Sequence, residues 1–208
     1  MKGLIIKEFL GLRQYFRVLG FLLFAYIIMS WCLRTTGIFP AINAFLIMIC
    51  VLNSFNYDEL NHWEPFVLTF PLSKTDMVRS KYLFILLLCA ASTVMTLLLS
   101  LTVGYFLHTS LSTVIIGSAA SIFAGMFLAA LFTPVIYQYG TEKARYIIVA
   151  IIMVPTFLLM TFGRYLNPYL PPGPQVLTLL AWALPVLVIF LFFLSYRISK
   201  RIVLKREY

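Results

Sequence analysis

The sequence predicts an all-α membrane protein of six transmembrane helices with both termini on the cytoplasmic side. Three observations predict it. Of 208 residues, 62% are hydrophobic and only 11% charged, where a soluble domain carries about 25% charged residues. From Tyr82 to Thr141 there is no Lys, Arg, Asp or Glu. Water could not keep a stretch of that length dissolved, whereas a spanning helix needs only about 20 apolar residues. Finally, the basic residues lie in short segments between apolar runs, where membrane topology places them. They do not form one patch, so the net charge of +9 gives no reason to expect a nucleic-acid partner.

Taken in order, residues 1–17 read MKGLIIKEFLGLRQYFR. Leu4, Ile5, Phe9, Leu12 and Phe16 recur at helical spacing while Lys2, Lys7, Glu8, Arg13 and Arg17 take mostly other faces. The pattern predicts an amphipathic helix lying in the membrane interface. No signal peptide is visible, because no small-residue cleavage site follows the first apolar run, and that run is expected to remain in the mature protein. The runs are Val18 to Leu33, Ile38 to Phe55, Tyr82 to Leu107, Val114 to about Tyr137, Tyr146 to Gly163 and Gln175 to Tyr196. The first is short, so its flanking arginines are expected to snorkel. A basic tail, 197–208, closes a single transmembrane domain spanning 1–208. With the N-terminus inside, 14 of the 16 basic residues fall on the cytoplasmic side and only Arg34 and Arg164 on the other. That asymmetry sets the orientation.

Within the spans, Pro134, Pro155 and Pro185 predict kinks whose freed backbone groups need neighbours. Gly117, Ser121, Gly125 and Ala129 form a small-residue stripe that allows close backbone approach. Both intramolecular packing and a seam between two copies fit it. No charged residue stands at the centre of a span, which argues against ion-coupled transport. Zinc-protease and serine-hydrolase motifs are missing, as is an intramembrane pair of acids with histidine. His108, at the outer end of span three, reads as interfacial. Cys32, Cys50 and Cys89 have neither metal-ligand nor disulfide spacing and read as small apolar packing residues.

The segment 56–81 is the most informative: NYDELNHWEPFVLTFPLSKTDMVRSK. It is far longer than a minimal turn and mixes acids, bases and aromatics. Phe70-Pro71-Leu72 stops the chain. Ser73 can then cap a new helix, with Asp76 three residues later as its capping-box partner. A short capped helix at the membrane base suits contact with a soluble partner.

Asp58-Glu59, Trp63-Glu64, Phe70-Pro71-Leu72-Ser73 and Ser80-Lys81-Tyr82 resemble the first cytoplasmic loop of the small six-helix permeases of type-2 ABC exporters. The layout is similar over the whole chain; the specific residues cover only about 25 positions. The resemblance implies a permease without its own ATPase, in a bacterial plasma membrane. It implies two permease subunits, identical or paralogous, joined to two soluble ATPase subunits that bind ATP and Mg. It also implies a coupling helix between helices 2 and 3 that docks into the ATPase. By that resemblance, Glu59, Glu64, Pro71, Leu72, Ser73, Lys74, Asp76 and Arg79 form the coupling interface. The cargo implied is amphipathic peptides or hydrophobic toxic compounds. The residues add one independent point: the chain has no Gly-x-x-x-x-Gly-Lys-Ser/Thr phosphate loop, so hydrolysis must come from another subunit. The competing readings are an ion-driven secondary carrier, an intramembrane enzyme, and a non-transporting sensor or immunity protein. Substrate-lining residues are not legible, and no cofactor or metal is expected in this chain.

Overall fold

A computed structural model describes residues 2–67, 69, 73–166 and 174–205. Pro71, Leu72, the link 167–173 and the end of the basic tail lie outside the described residues, as does the side chain of Glu64. Every regular element among the described residues is helical. The amphipathic start forms α1 (Lys2–Leu12), and a 3₁₀ turn at Arg13–Tyr15 leads into α2 (Phe16–Leu33). Then come α3 (Ile38–Leu60), α4 (Trp63–Val67), α5 (Lys74–Phe106), α6 (Leu111–Leu166) and α7 (Pro174–Lys205).

By length and composition, Ile38–Leu60, Lys74–Phe106 and Leu111–Ile151 are each apolar enough to cross a membrane. Large side chains such as Phe21, Phe24, Val94, Leu98, Ile116 and Phe190 are exposed on the outside of the bundle. A soluble protein could not carry that surface; in lipid it is the expected solvent-facing one.

Two departures from the sequence expectation bear on the site. α3 runs on from Phe55 to Leu60, because the polar residues that close it find partners on other helices. The predicted turn 138–145 is not a loop. Helix continues through it, broken only at Gly140, whose φ of 80° and ψ of 171° no helix contains. A straight helix of this length would reach roughly 84 Å, nearly three times the hydrocarbon core. The break divides it into arms 111–139 and 141–166.

The core gathers Ile47, Val51, Phe84, Ile85, Phe132 and Ile136 from α3, α5 and α6. The small-residue stripe faces inward. A Cβ added at Gly117 would stand 3.1 Å from Pro40, and one at Gly125 would collide with Ile47. Between them Ser121 accepts from the Asn43 amide at 2.9 Å, and Thr93 of α5 accepts from the same amide at 3.3 Å. The stripe is therefore the α3–α6 packing seam within one chain, which overturns the reading of it as a seam between copies. Tyr82 ties α5 to α7: its hydroxyl bonds Ser195 at 2.7 Å and Ser199 at 2.9 Å, and Ser195 in turn donates to the Ala130 carbonyl of α6 at 2.6 Å. The ring of Tyr82 meets Phe192 and Tyr196 edge-on.

Candidate functional site

The site begins where α5 begins. Ser73 sits in extended backbone and accepts the Asp76 N–H on its hydroxyl at 3.2 Å. The Asp76 carboxylate accepts in return from the Ser73 N–H at 3.3 Å and from its hydroxyl at 2.6 Å. This is the reciprocal capping box expected from the sequence, and it satisfies two donors that a helix end otherwise leaves bare. Ser73→Ala is expected to lower thermal stability by ~1 kcal/mol, with Ser73→Thr retaining most of it. Melting curves of the purified variants measure this.

Two turns further along α5, Lys81 enters a buried ionic cluster. Its ammonium group lies 2.8 Å from Glu8 of α1 and 2.6 Å from Asp58 of α3. It also donates to the Ser54 hydroxyl at 2.7 Å. The Ser54 carbonyl, at 3.4 Å, is a further acceptor, so all three protons of the ammonium group have partners. Lys7 completes the balance, pairing with Glu8 at 3.1 Å and with Asp58, and Ser54 donates to Glu8. The two lysines also sit over aromatic faces, Lys81 at 4.7 Å from the Phe55 ring and Lys7 at 4.5 Å from Trp63, within reach of cation–π attraction. The Lys81, Glu8 and Asp58 side chains are each no more than 7% exposed. Two cations and two anions cancel, as burial of charge requires. Burial alone would raise the pKa of Glu8. The ammonium groups of Lys81 and Lys7, with hydrogen bonds from Lys81 and Ser54, outweigh it and hold the carboxyl below its ordinary value.

Local sequence explains how α1 delivers Glu8. Leu4, Glu8 and Leu12 recur every four residues and are all buried, so they form one face. The sequence reading put Glu8 on the polar face; the structure corrects this, because Lys81 supplies the partner that lets it be buried. Leu4 also packs with Val67 of α4 and Met77 of α5, against Trp63. α4 is therefore clamped onto α1 and the first turns of α5.

Among the described residues, the predicted coupling residues lie at more than one place. Ser73, Lys74, Asp76 and Arg79 occupy the start of α5, with Arg79 exposed. Glu64 belongs to α4. Glu59 turns elsewhere: its carboxylate accepts the Thr141 N–H at 2.8 Å and the Thr141 hydroxyl. It caps the second arm of α6 immediately after Gly140. Sequence reasoning missed Glu8, Ser54, Asp58 and Lys81 as a unit. Lys81 and Tyr82 were nonetheless visible inside the Ser-Lys-Tyr step. Among the described residues there is no group of His, Cys, Asp and Glu suited to a metal ion.

Across this architecture, the family model for "ABC-2 family transporter protein" matches residues 3–203. The chain belongs to the ABC-2 transporter family. No curated protein and no solved structure matches it. As an ABC-2 family member it is a permease subunit, an integral membrane protein that associates with ABC ATPase subunits. The first turns of α5 are thus tied to α1 through Glu8, to α3 through Asp58 and to α7 through Tyr82.

Proposed function

We propose that this chain is the membrane subunit of an ATP-driven exporter of amphipathic peptides or hydrophobic toxic compounds. In this reading it crosses the membrane six times with both termini inside, and the arms of α6 form two of the crossings. Two copies, or one copy and a paralogue, join two cytoplasmic ATPases that bind ATP and Mg. The ATPase contact is the segment from Glu64 to Arg79, centred on Pro71, Leu72 and Ser73, with Lys74, Asp76 and Arg79 on the first turns of α5. Glu59 contributes indirectly, by fixing the end of α3 to α6.

The observation that carries the reading is the placement of Lys81, two turns from Ser73 and bonded to two other helices. α5 is roughly 50 Å long, longer than the hydrocarbon core, so its first two turns extend past the apolar run that starts at Tyr82. Force applied by an ATPase at those turns reaches the bundle through rigid helix and buried ion pairs, without passing through a flexible loop.

The test is co-purification in mild detergent with the neighbouring subunits co-expressed, followed by ATPase and transport assays. A soluble ATPase is expected at equal stoichiometry. Pro71→Asp with Leu72→Asp is expected to abolish ATPase association, or transport with hydrolysis retained, while membrane insertion is unchanged. Normal transport by that variant would overturn the coupling assignment. A chain that purifies alone and moves cargo on an ion gradient would replace the reading with a secondary carrier.

A further inference from the structure

The last turns of α7 carry a feature that coupling does not use. Arg197, Arg201 and Lys205 stand at four-residue intervals, with Lys200 beside them, so all four share one helical side. The opposite side is occupied: Ser195 and Ser199 face Tyr82, and Val203 is fully buried. Among the described residues none of the four cations pairs with a carboxylate. Like charges one turn apart repel. The helix dipole offsets this only within the final turn, which serves Lys205 and leaves Arg197 two turns away.

These cations share the outward face of α7 with Phe193, Leu194, Ile198 and Leu204, all of them exposed. The apolar surface continues upstream through Leu187, Ile189 and Phe190, also exposed. The Arg197 guanidinium lies 5.3 Å from the Phe193 ring, so the boundary between the apolar and cationic stretches is a stacked pair. Free phosphate would need the cations but not the apolar side chains. A hydrophobic peptide would need the apolar side chains but not the four cations. A molecule that carries both chemistries matches the surface.

We propose that this face of α7 binds an anionic phospholipid, its phosphate and headgroup charge on Arg197, Lys200, Arg201 and Lys205 and its acyl chains along Phe193 and Ile198. The bound lipid supplies counter-charge to these four cations and fixes the depth of α7. Because Tyr82 fastens α7 to α5, the same lipid also steadies the helix that carries Lys81.

The test uses the full chain, purified in mild detergent and exchanged into nanodiscs of equal phosphatidylglycerol and phosphatidylcholine. After limited delipidation, native mass spectrometry counts the retained lipids. Wild-type chain is expected to retain phosphatidylglycerol at least fivefold over phosphatidylcholine. The variant R197Q/K200Q/R201Q/K205Q is expected to lose that preference, and R197K/R201K to keep it. Millimolar glycerol phosphate is expected not to displace the lipid, which separates a phospholipid site from a simple phosphate site. Equal retention of the two lipids by wild type, an unchanged preference in the glutamine variant, or displacement by glycerol phosphate would each overturn the proposal. If the fourfold variant fails to insert, R201Q alone is read against the same criterion, with at least a twofold loss expected. No ATPase enters the measurement, so its outcome is independent of the exporter reading.

Discussion

Lys81→Met is expected to destabilise the protein by ~3–5 kcal/mol, the usual cost of stranding a buried counter-charge. The methionine fills the aliphatic space of the lysine, so the loss does not come from a cavity. It comes from Glu8 and Asp58, which keep their charges with Lys7 alone to balance them. A second substitution separates stability from coupling. In Lys81→Met with Asp58→Asn, Lys7 and Glu8 remain as a balanced pair, and much of the lost stability is expected to return. The link from α5 to α1 and α3 does not return, so ATP hydrolysis is expected to continue without transport. Melting temperature and transport per ATP, measured on the three proteins, check this. Full transport in the double variant would show that the cluster only holds the fold together. The wild-type cluster should also show an acid limb. Glu8 has a folded pKa below its ordinary 4.5, so its contribution is complete above that value and drains away as pH falls through the lower folded one. Melting curves between neutral pH and pH 3 measure that limb. In Lys81→Met the limb is expected to shrink, because the largest attraction holding Glu8 ionised is gone and its folded pKa moves back toward the ordinary value.

Gly140→Ala is expected to be the second most damaging change. At φ 80° and ψ 171° the backbone occupies a region that is essentially glycine's alone, and a side chain there adds strain of about 1–3 kcal/mol. Its Cβ would also stand 3.1 Å from the Glu59 carboxylate. That is the oxygen-bearing group that caps Thr141, so the methyl group pushes on the contact that closes the start of the second arm. The expected result is a melting temperature several degrees lower and reduced yield of inserted protein. Glu59→Gln keeps the shape and an acceptor while removing the charge, and is expected to cost less. If Gly140→Ala melts like wild type, the break is tolerant of a side chain and the strain argument fails.

The helical runs were legible in the sequence because apolar length is a local property. The Ser73–Asp76 cap was legible for the same reason, since both partners lie within one turn. What escaped was non-local. Glu8 and Lys81 are 73 positions apart, and nothing in the periodicity of α1 distinguishes an acid facing water from one facing a buried ammonium group. Leu4-Glu8-Leu12 reads as a broken apolar stripe until α5 is laid against it. Asp58 and Glu59 are adjacent and alike in composition. They serve different ends because consecutive helical residues point about 100° apart, one toward Lys81 and the other toward Thr141. The apolar run ends at Phe55 while the helix continues to Leu60, because the polar residues beyond it have partners on other helices. The small-residue stripe was visible, but its partner helix was not.

That stripe has a consequence for how the sequence can drift. Ile47 occupies the space where position 125 would carry a side chain, so the two positions share one fixed volume. Gain at one must be matched by loss at the other, and a change at either alone is a misfit. Substitutions there are expected to arise in pairs, or not at all, even though 78 residues of chain separate Asn43 from Ser121 one turn away in the same seam. The pairing is a constraint on inheritance written by two helices that leave no slack between them.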